Sequence, residues 1–127
     1  RQLCLYLHSS NYIGNEGVDV LSNGLRGIGS SLKTLRLNNN SVGNEGLLAV
    51  VEALANCTGL ETLDLSRNEF SLAAAGLASL SDWLRRDEVN LKYLNLSSCR
   101  INDEGLRALS QGAANHCEEL DLDGNES

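Results

Sequence analysis

The sequence predicts an α/β fold in which short parallel strands alternate with helices along a stacked array of repeats. Three observations support this prediction: a spacing of leucines that recurs along the chain, a change of hydrophobic period inside each recurring unit, and an aliphatic composition. Hydrophobic residues make up 42% of the 127 residues and aromatic residues only 4%, so leucine must build most of the core.

The recurring unit is defined by apolar, Asn or Cys, and Gly positions at nearly constant spacing. Its copies are Leu32, Leu35, Leu37, Asn40, Val42 and Gly46; Leu60, Leu63, Leu65, Asn68 and Phe70; Leu91, Leu94, Leu96, Cys99, Ile101 and Gly105; and the start of a fifth at Cys117, Leu120, Leu122 and Asn125. In the first copy Asn11, Ile13 and Gly17 fit the spacing. Leu5 and Leu7 lie one residue too far upstream, which predicts a bulge or an atypical register there.

The units differ in length, and the differences fall in their second halves. The Asn or Cys positions at 11, 40, 68, 99 and 125 are separated by 29, 28, 31 and 26 residues. The longest unit carries additional residues at 71–75, before Gly76. Loops and helix ends are expected to absorb this variation.

The first half of each unit predicts a short strand. In Leu35-Arg36-Leu37 apolar residues alternate with polar ones, so the leucines point to one side and Thr34, Arg36 and Asn38 to the other. The strands are expected to stack at roughly 4.8 Å and to place their outward residues in continuous columns.

The second half predicts an amphipathic helix, because apolar residues such as Gly46, Val50 and Leu54 recur every four positions. We expect helices near residues 16–28, 45–56, 74–86 and 104–115. Asn15, Asn44 and Asp103 stand where N-caps belong, and an acidic residue follows each. The next residue in each case is a glycine, which is expected to let the helix approach the neighbouring strand.

These residues resemble the leucine-rich-repeat family, whose pattern is L-x-x-L-x-L-x-x-N/C-x-L. Units of about 28 residues with a helix opened by glycine are similar to its ribonuclease-inhibitor-like branch, and the resemblance covers essentially the whole chain. It implies a horseshoe arc with strands on the concave face and helices on the convex face. Residues 1–127 then form one domain of about four and a half repeats. The resemblance also implies a structural role for the inward-turned Asn or Cys at each strand end, here Asn11, Asn40, Asn68, Cys99 and Asn125.

In this branch the concave face binds partners, so the outward strand residues are the candidate binding site. The residues assigned to it are Tyr6, His8, Arg36, Asp64, Tyr93, Asn95, Glu119 and Asp121. Ser66, in the same surface, is expected to face solvent, so that its replacement by alanine is nearly neutral. The surface runs from His8, Arg36 and tyrosines to a wholly acidic end. The alternative is that these residues are ordinary solvated strand positions.

The function predicted is that of a protein–protein interaction module. Members of the branch include ribonuclease inhibitors, Ran GTPase-activating proteins, immune receptors and cytoskeletal scaffolds. Two further hypotheses follow from this resemblance: a regulator of a small GTPase, and an architectural component that uses its helix side. The sequence does not choose among them.

Charge and residue placement argue against other classes of function. The net charge of −7 disfavours nucleic acid or an anionic membrane as a partner and favours a basic or mixed-charge protein. No catalytic, cofactor-binding or metal site is expected, because His8 and His116 are four repeats apart and no Cys or His ligands have metal spacing. The four cysteines are too sparse for a disulfide scaffold, which favours reduced thiols and a cytoplasmic location.

The first residue is Arg1 rather than methionine, and neither end carries a polar capping helix. We therefore expect the chain to be a segment of a longer repeat array. Expressed alone, it is expected to self-associate or fray at its ends, since solenoids need caps and open strand edges invite pairing.

Overall fold

The computed structural model describes residues 3–6 and 14–125, without the side chains of residues 3, 6, 30, 111 and 113–116. Strands and helices alternate along these ranges, as predicted. The strands are β1 (Leu3–Tyr6), β2 (Leu32–Arg36), β3 (Thr62–Asp64), β4 (Leu91–Asn95) and β5 (Cys117–Asp121). The helices are α1 (Gly14–Leu25), α2 (Asn44–Leu54), α3 (Ala74–Leu84) and α4 (Asp103–His116).

All five strands form one parallel sheet in chain order, β1-β2-β3-β4-β5. Its register aligns Leu5, Leu35, Leu63, Leu94 and Leu120 across the sheet. The predicted α/β solenoid is therefore confirmed, with each unit contributing one strand in the same phase. Between β1 and β2 the register shifts at Leu3 and Cys4. The irregularity expected between Leu7 and Asn11 lies outside the described residues.

The helices lie close to the predicted ranges, and α1 differs most because it begins and ends earlier. It stops at Leu25, where Gly24 and Gly27 lower helix propensity, and a turn leads into a 3₁₀ helix at Gly29–Ser31. Ile28 N–H donates to the Leu25 carbonyl at 3.2 Å, as in a tightened last turn. In the described ranges, no helix is both long and apolar enough to cross a membrane.

The core lies between the sheet and the helix layer. Leu35, Leu63 and Leu94 of the strands are fully buried against the helical stripe, in which Leu54 and Leu84 are also fully buried. Burying each such leucine stabilises the fold by roughly 1.5–3 kcal/mol. Since one unit cannot cover its own stripe, this energy depends on the stacking of neighbours.

The predicted N-caps of α1 and α2 are wrong, because Asn15 and Asn44 act on the following repeat. Asn15 Oδ1 accepts from the backbone N–H groups of Gly43, at 2.8 Å, and Gly46, at 2.9 Å. Asn44 Oδ1 likewise accepts from Gly76 N–H at 2.9 Å. Each asparagine lies within its own first turn, from which the side chain reaches the start of the next helix.

Helix α4 is capped within its own repeat, although not by the residue expected. Asn102 is its N-cap and accepts from Gly105 N–H at 3.0 Å, whereas Asp103 is the first helical residue. The sequence therefore identified the polar segment at the starts of α1, α2 and α4 but not which helix each side chain serves.

The glycines that follow allow helices to approach one another rather than the strand. A Cβ atom on Gly46 would lie 2.6 Å from Asn15 Oδ1, and one on Gly105 would lie 2.9 Å from Leu77 Cδ1. Both contacts are to the preceding helix. The expected approach to the neighbouring strand is thus corrected to packing between helix amino ends.

Candidate protein-binding surface

The asparagine at the end of β3 ties two repeats together. Asn68 Oδ1 accepts from the backbone N–H groups of Asn40, at 3.0 Å, and Val42, at 2.9 Å. Its Nδ2 donates to the carbonyls of Leu37 and Leu65 at 3.1 and 2.9 Å. These backbone groups are buried between repeats, so the side chain supplies the hydrogen bonds that water cannot.

Asn125 repeats this arrangement two units further on, whereas Cys99, in the unit between them, provides a weaker version. Asn125 Oδ1 accepts from the N–H groups of Cys99 and Ile101, each at 2.9 Å, although the residue is half-buried rather than buried as expected. The Cys99 thiol donates to the Leu65 carbonyl at 3.1 Å. Phe70 N–H bonds to the Cys99 carbonyl at 2.8 Å rather than to a side chain.

The Cys99 thiol is a protonated core group. Burial raises its pKa to about 11, and hydrogen bonds from the backbone of Asn68 and Arg67 offset this effect only in part. The thiol is therefore suited to donating weakly and not to nucleophilic chemistry. Asn11, the first member of this series, lies outside the described residues.

We call the outward-facing side of the five strands the strand face. The sheet register places Arg36 beside Asp64, Asp64 beside Asn95, and Asn95 beside Asp121. Tyr93 lies beside Glu119 in the adjacent row. Tyr6 pairs with Arg36 in the backbone register. The Tyr6 side chain and the whole of His8 lie outside the described part of the chain.

Asp64 does not face solvent, which corrects its assignment as an open contact residue. It is only 7% exposed, and its Oδ1 accepts from the Ser66 N–H at 3.0 Å and from Ser66 Oγ at 2.7 Å. Arg36 Nη1 donates to the other oxygen at 3.3 Å. The carboxylate therefore closes the turn after β3 and holds the Arg36 side chain.

Asn95 and Asp121 make the same local turn in the next two repeats. Asn95 Oδ1 accepts from the Ser97 N–H at 2.9 Å and from Ser97 Oγ at 2.7 Å, and Asp121 Oδ1 accepts from the Asp123 N–H at 3.0 Å. Sequence reasoning missed this role. The recurring pair of Asp or Asn followed two residues later by Ser or Asp, where the strand ends, was the available signal.

The burial of Ser66 reverses the sequence-based expectation for its replacement. Ser66 is 7% exposed, so Ser66→Ala is expected to lower the free energy of unfolding by about 1–2 kcal/mol through loss of the bond to the Asp64 carboxylate. Chemical denaturation measures the loss, with Ser110→Ala on the exposed side of α4 as control. Equal denaturation midpoints for the two variants would mean that the Ser66 hydroxyl contributes nothing to the stability of the fold.

Tyr93 stands at the centre of the charged part of the strand face. Burial raises the pKa of its hydroxyl above the ordinary value. The carboxylates of Asp121, Asp64 and Glu119 raise it further, while Arg36 lowers it. The hydroxyl is therefore a neutral donor at physiological pH, on a half-buried ring surrounded by charge.

The cysteines and the candidate metal ligands of the described residues do not form a site of their own. All four cysteines are free thiols, of which Cys4 is exposed and Cys57 and Cys99 are buried. Cys117 is half-buried. Within residues 3–6 and 14–125, no group of three His, Cys, Asp or Glu side chains is placed to hold a metal ion.

Comparison with protein families matches three segments of the chain to models of the same repeat. Two models, each described as "Leucine Rich Repeat", match residues 30–51, 59–81 and 89–110. Each segment contains one strand and at least the first part of the helix that follows it.

The curated relatives fall into two kinds. The chain is 31% identical over 126 residues to "NACHT, LRR and PYD domains-containing protein 12" of Mus musculus, covering 98% of this chain and 12% of the relative. It is 32% identical over 120 residues to the ribonuclease inhibitor of Mus musculus and 35% identical over 119 residues to that of Sus scrofa. These two alignments cover 93% and 92% of this chain and 26% of each inhibitor. The chain therefore spans about a quarter of the length of the inhibitors and 12% of the length of the NACHT, LRR and PYD domains-containing relative.

Proposed function

The chain belongs to the leucine-rich-repeat family, in its ribonuclease-inhibitor-like branch, and we propose that it binds a protein partner through the strand face. Repeats of this family are generally protein-binding modules.

The observation that carries the proposal is the setting of Tyr93. Its half-buried ring lies beside Glu119 in the register, and Asp121, Asp64 and Arg36 are close enough to influence its hydroxyl. Aromatic residues that lose little entropy on binding and are bordered by charge are common anchors of protein interfaces. Since the sheet holds Tyr93 in place, a partner would meet a preorganised group.

The charge of the strand face favours a partner with a basic or mixed-charge surface. Glu119 and Asp123 are exposed at the β5 end, and Asp121 is half-exposed between them. Near the other end Arg36, with 38% of its side chain exposed, is ion-paired with Asp64 at 3.3 Å. Complementary potentials of this kind steer association and reject partners of the wrong charge.

The test compares Tyr93→Ala and Glu119→Lys with Glu52→Lys, a matched charge reversal on α2. Tyr93→Ala is expected to weaken partner binding by about 2 kcal/mol, roughly 30-fold, because it removes the central anchor. Glu119→Lys should weaken binding to a basic partner, and Glu52→Lys should leave it unchanged. Affinity capture with wild-type and Tyr93→Ala baits identifies the partner, and titration calorimetry measures the affinities; ribonuclease is a defined first probe.

Arg36→Glu is a poor test of binding, because it places a carboxylate against Asp64 and would destabilise the turn after β3. If Glu52→Lys or Arg107→Glu weakened binding while Tyr93→Ala did not, the helix side would be the contact face and an architectural role would be favoured. A rise in GTP hydrolysis on mixing with a small GTPase would instead identify a regulator.

A further inference from the structure

An asparagine in the last turn of α1 is followed by a glycine. Asn23-Gly24 is the one Asn-Gly pair in the sequence. Both residues are exposed, and the helix ends at the next residue, Leu25. Apart from adjacent residues and the backbone of the helix itself, no atom lies within 4 Å of the place that a Cβ on Gly24 would occupy. The approach to the peptide nitrogen of Gly24 is therefore open.

This pair has the groups needed for an intramolecular reaction. The Gly24 nitrogen bonds to Asn23 Cγ, the bond from Cγ to Nδ2 breaks, and Nδ2 leaves as ammonia with the proton of the Gly24 N–H. Water then opens the resulting succinimide ring at either carbonyl and leaves aspartate or isoaspartate at position 23. Glycine favours ring closure because it has no Cβ to hinder the attack and its backbone rotates freely.

Ring closure requires the Gly24 N–H to leave the helix, and the end of α1 is suited to such opening. Asn23, Gly24 and Gly27 all lower helix propensity. The hydrogen bonds that close this end are long, at 3.2 Å from Gly27 N–H to the Gly24 carbonyl and 3.2 Å from Ile28 N–H to the Leu25 carbonyl. Helix ends fray at a small fraction of the cost of global unfolding.

Arg26 is placed to assist the reaction. Its Nη1 donates to Asn23 Oδ1 at 3.3 Å, and its Nη2 is paired with Glu52 Oε1 of α2 at 3.1 Å. Attack on Cγ moves negative charge onto Oδ1, so a guanidinium beside that oxygen stabilises the tetrahedral intermediate. The ion pair with Glu52 keeps the guanidinium near the helix end.

We propose that Asn23-Gly24 is a site of spontaneous deamidation, in which Gly24 supplies the nucleophilic nitrogen and Arg26 stabilises the developing charge on Asn23 Oδ1. The isoaspartate product adds a methylene group to the main chain between Ser22 and Leu25, which are both buried. Since both cannot keep their places, the product loosens the end of α1. The site lies on the helix side, and the proposal does not depend on binding at the strand face.

The test is incubation of the folded chain at neutral pH and physiological temperature, followed by peptide mapping with mass spectrometry. Asn23 is expected to deamidate at least about tenfold faster than Asn90, which is exposed and precedes a leucine. An isoaspartate-specific methyltransferase identifies the main product. Because Asp123-Gly124 forms the same product without releasing ammonia, the methylated peptide is located by mass.

Three variants separate the contributions of the neighbouring residues. Gly24→Ala should slow the reaction at Asn23 by at least about tenfold. Arg26→Gln should slow it by about two- to fivefold, as expected for an exposed charged group. Glu52→Gln breaks the same ion pair without removing the guanidinium and should slow it less. Thermal unfolding of each variant checks that the fold is retained.

A rate at Asn23 no greater than that at Asn90 would overturn the proposal, as would reaction in urea but not in the folded chain. An unchanged rate in Arg26→Gln would overturn the role of the guanidinium. Deamidated chain, separated by its added negative charge, should unfold at a lower temperature than the unmodified chain. Equal unfolding temperatures would contradict the loosening of α1.

Discussion

Asn68→Ala is expected to lower the free energy of unfolding by about 2–4 kcal/mol, the largest effect of any single polar substitution considered for this chain. The side chain is 5% exposed and satisfies two N–H groups and two carbonyls that belong to two repeats. Alanine would remove this partner from the two N–H groups and the Leu37 carbonyl, while the Leu65 carbonyl would still accept from the Cys99 thiol. Urea denaturation followed by circular dichroism measures the change.

Asn90→Ala is the matched control, because Asn90 is exposed in the turn before β4. It should change stability by less than about 0.5 kcal/mol, as surface substitutions usually do. If Asn68→Ala cost no more than Asn90→Ala, the hydrogen bonds between the second and third repeats would not hold them together.

Gly112→Ala should destabilise the fold by about 2–3 kcal/mol, because the added methyl group would meet backbone rather than a movable side chain. An ideal Cβ there lies 2.0 Å from the Ser81 carbonyl oxygen of α3. The two helices would have to separate, which also weakens the 2.6 Å bond from Gly112 N–H to Ser81 Oγ. The overpacking cost of about 1–3 kcal/mol or more outweighs the gain of less than about 1 kcal/mol in helix propensity.

Gly24→Ala provides the control in α1, since no atom lies within 4 Å of the added Cβ. There only propensity acts, and stability should rise by about 0.5–1 kcal/mol. Thermal unfolding of both variants measures the contrast. A gain for Gly112→Ala similar to that for Gly24→Ala would show that α3 and α4 are not in close contact at Ser81.

Much of this fold is predictable because its signals are local and repeated. The leucines at 35, 63 and 94 alternate with polar residues, and that alternation alone sets which side of each strand is buried. Because the pattern repeats, assigning the strand in one unit also assigns it in the others, and the observed sheet register follows. Helix ends are less certain, as the early end of α1 shows.

The binding surface was less predictable because exposure depends on neighbouring side chains. Asp64 occupies an outward strand position, yet Ser66 and Arg36 engage both of its oxygens. Asn15 stands at a helix start, yet its partners belong to the next repeat. The Arg36–Asp64 and Asn15–Gly43 contacts join residues 28 positions apart, beyond the reach of a local pattern, whereas the Asp64–Ser66 contact is local. The fold was therefore foreseen more completely than the candidate site.

Carboxylate labelling of the chain with and without its captured partner tests the proposed function most directly. Carbodiimide coupling followed by mass spectrometry reports which acidic side chains the partner covers. Glu119 and Asp123 on and beside the strand face should become protected, while Glu16, Glu45 and Glu52 on the helices should react as before. Protection of the three helix residues with Glu119 and Asp123 still reactive would contradict binding through the strand face.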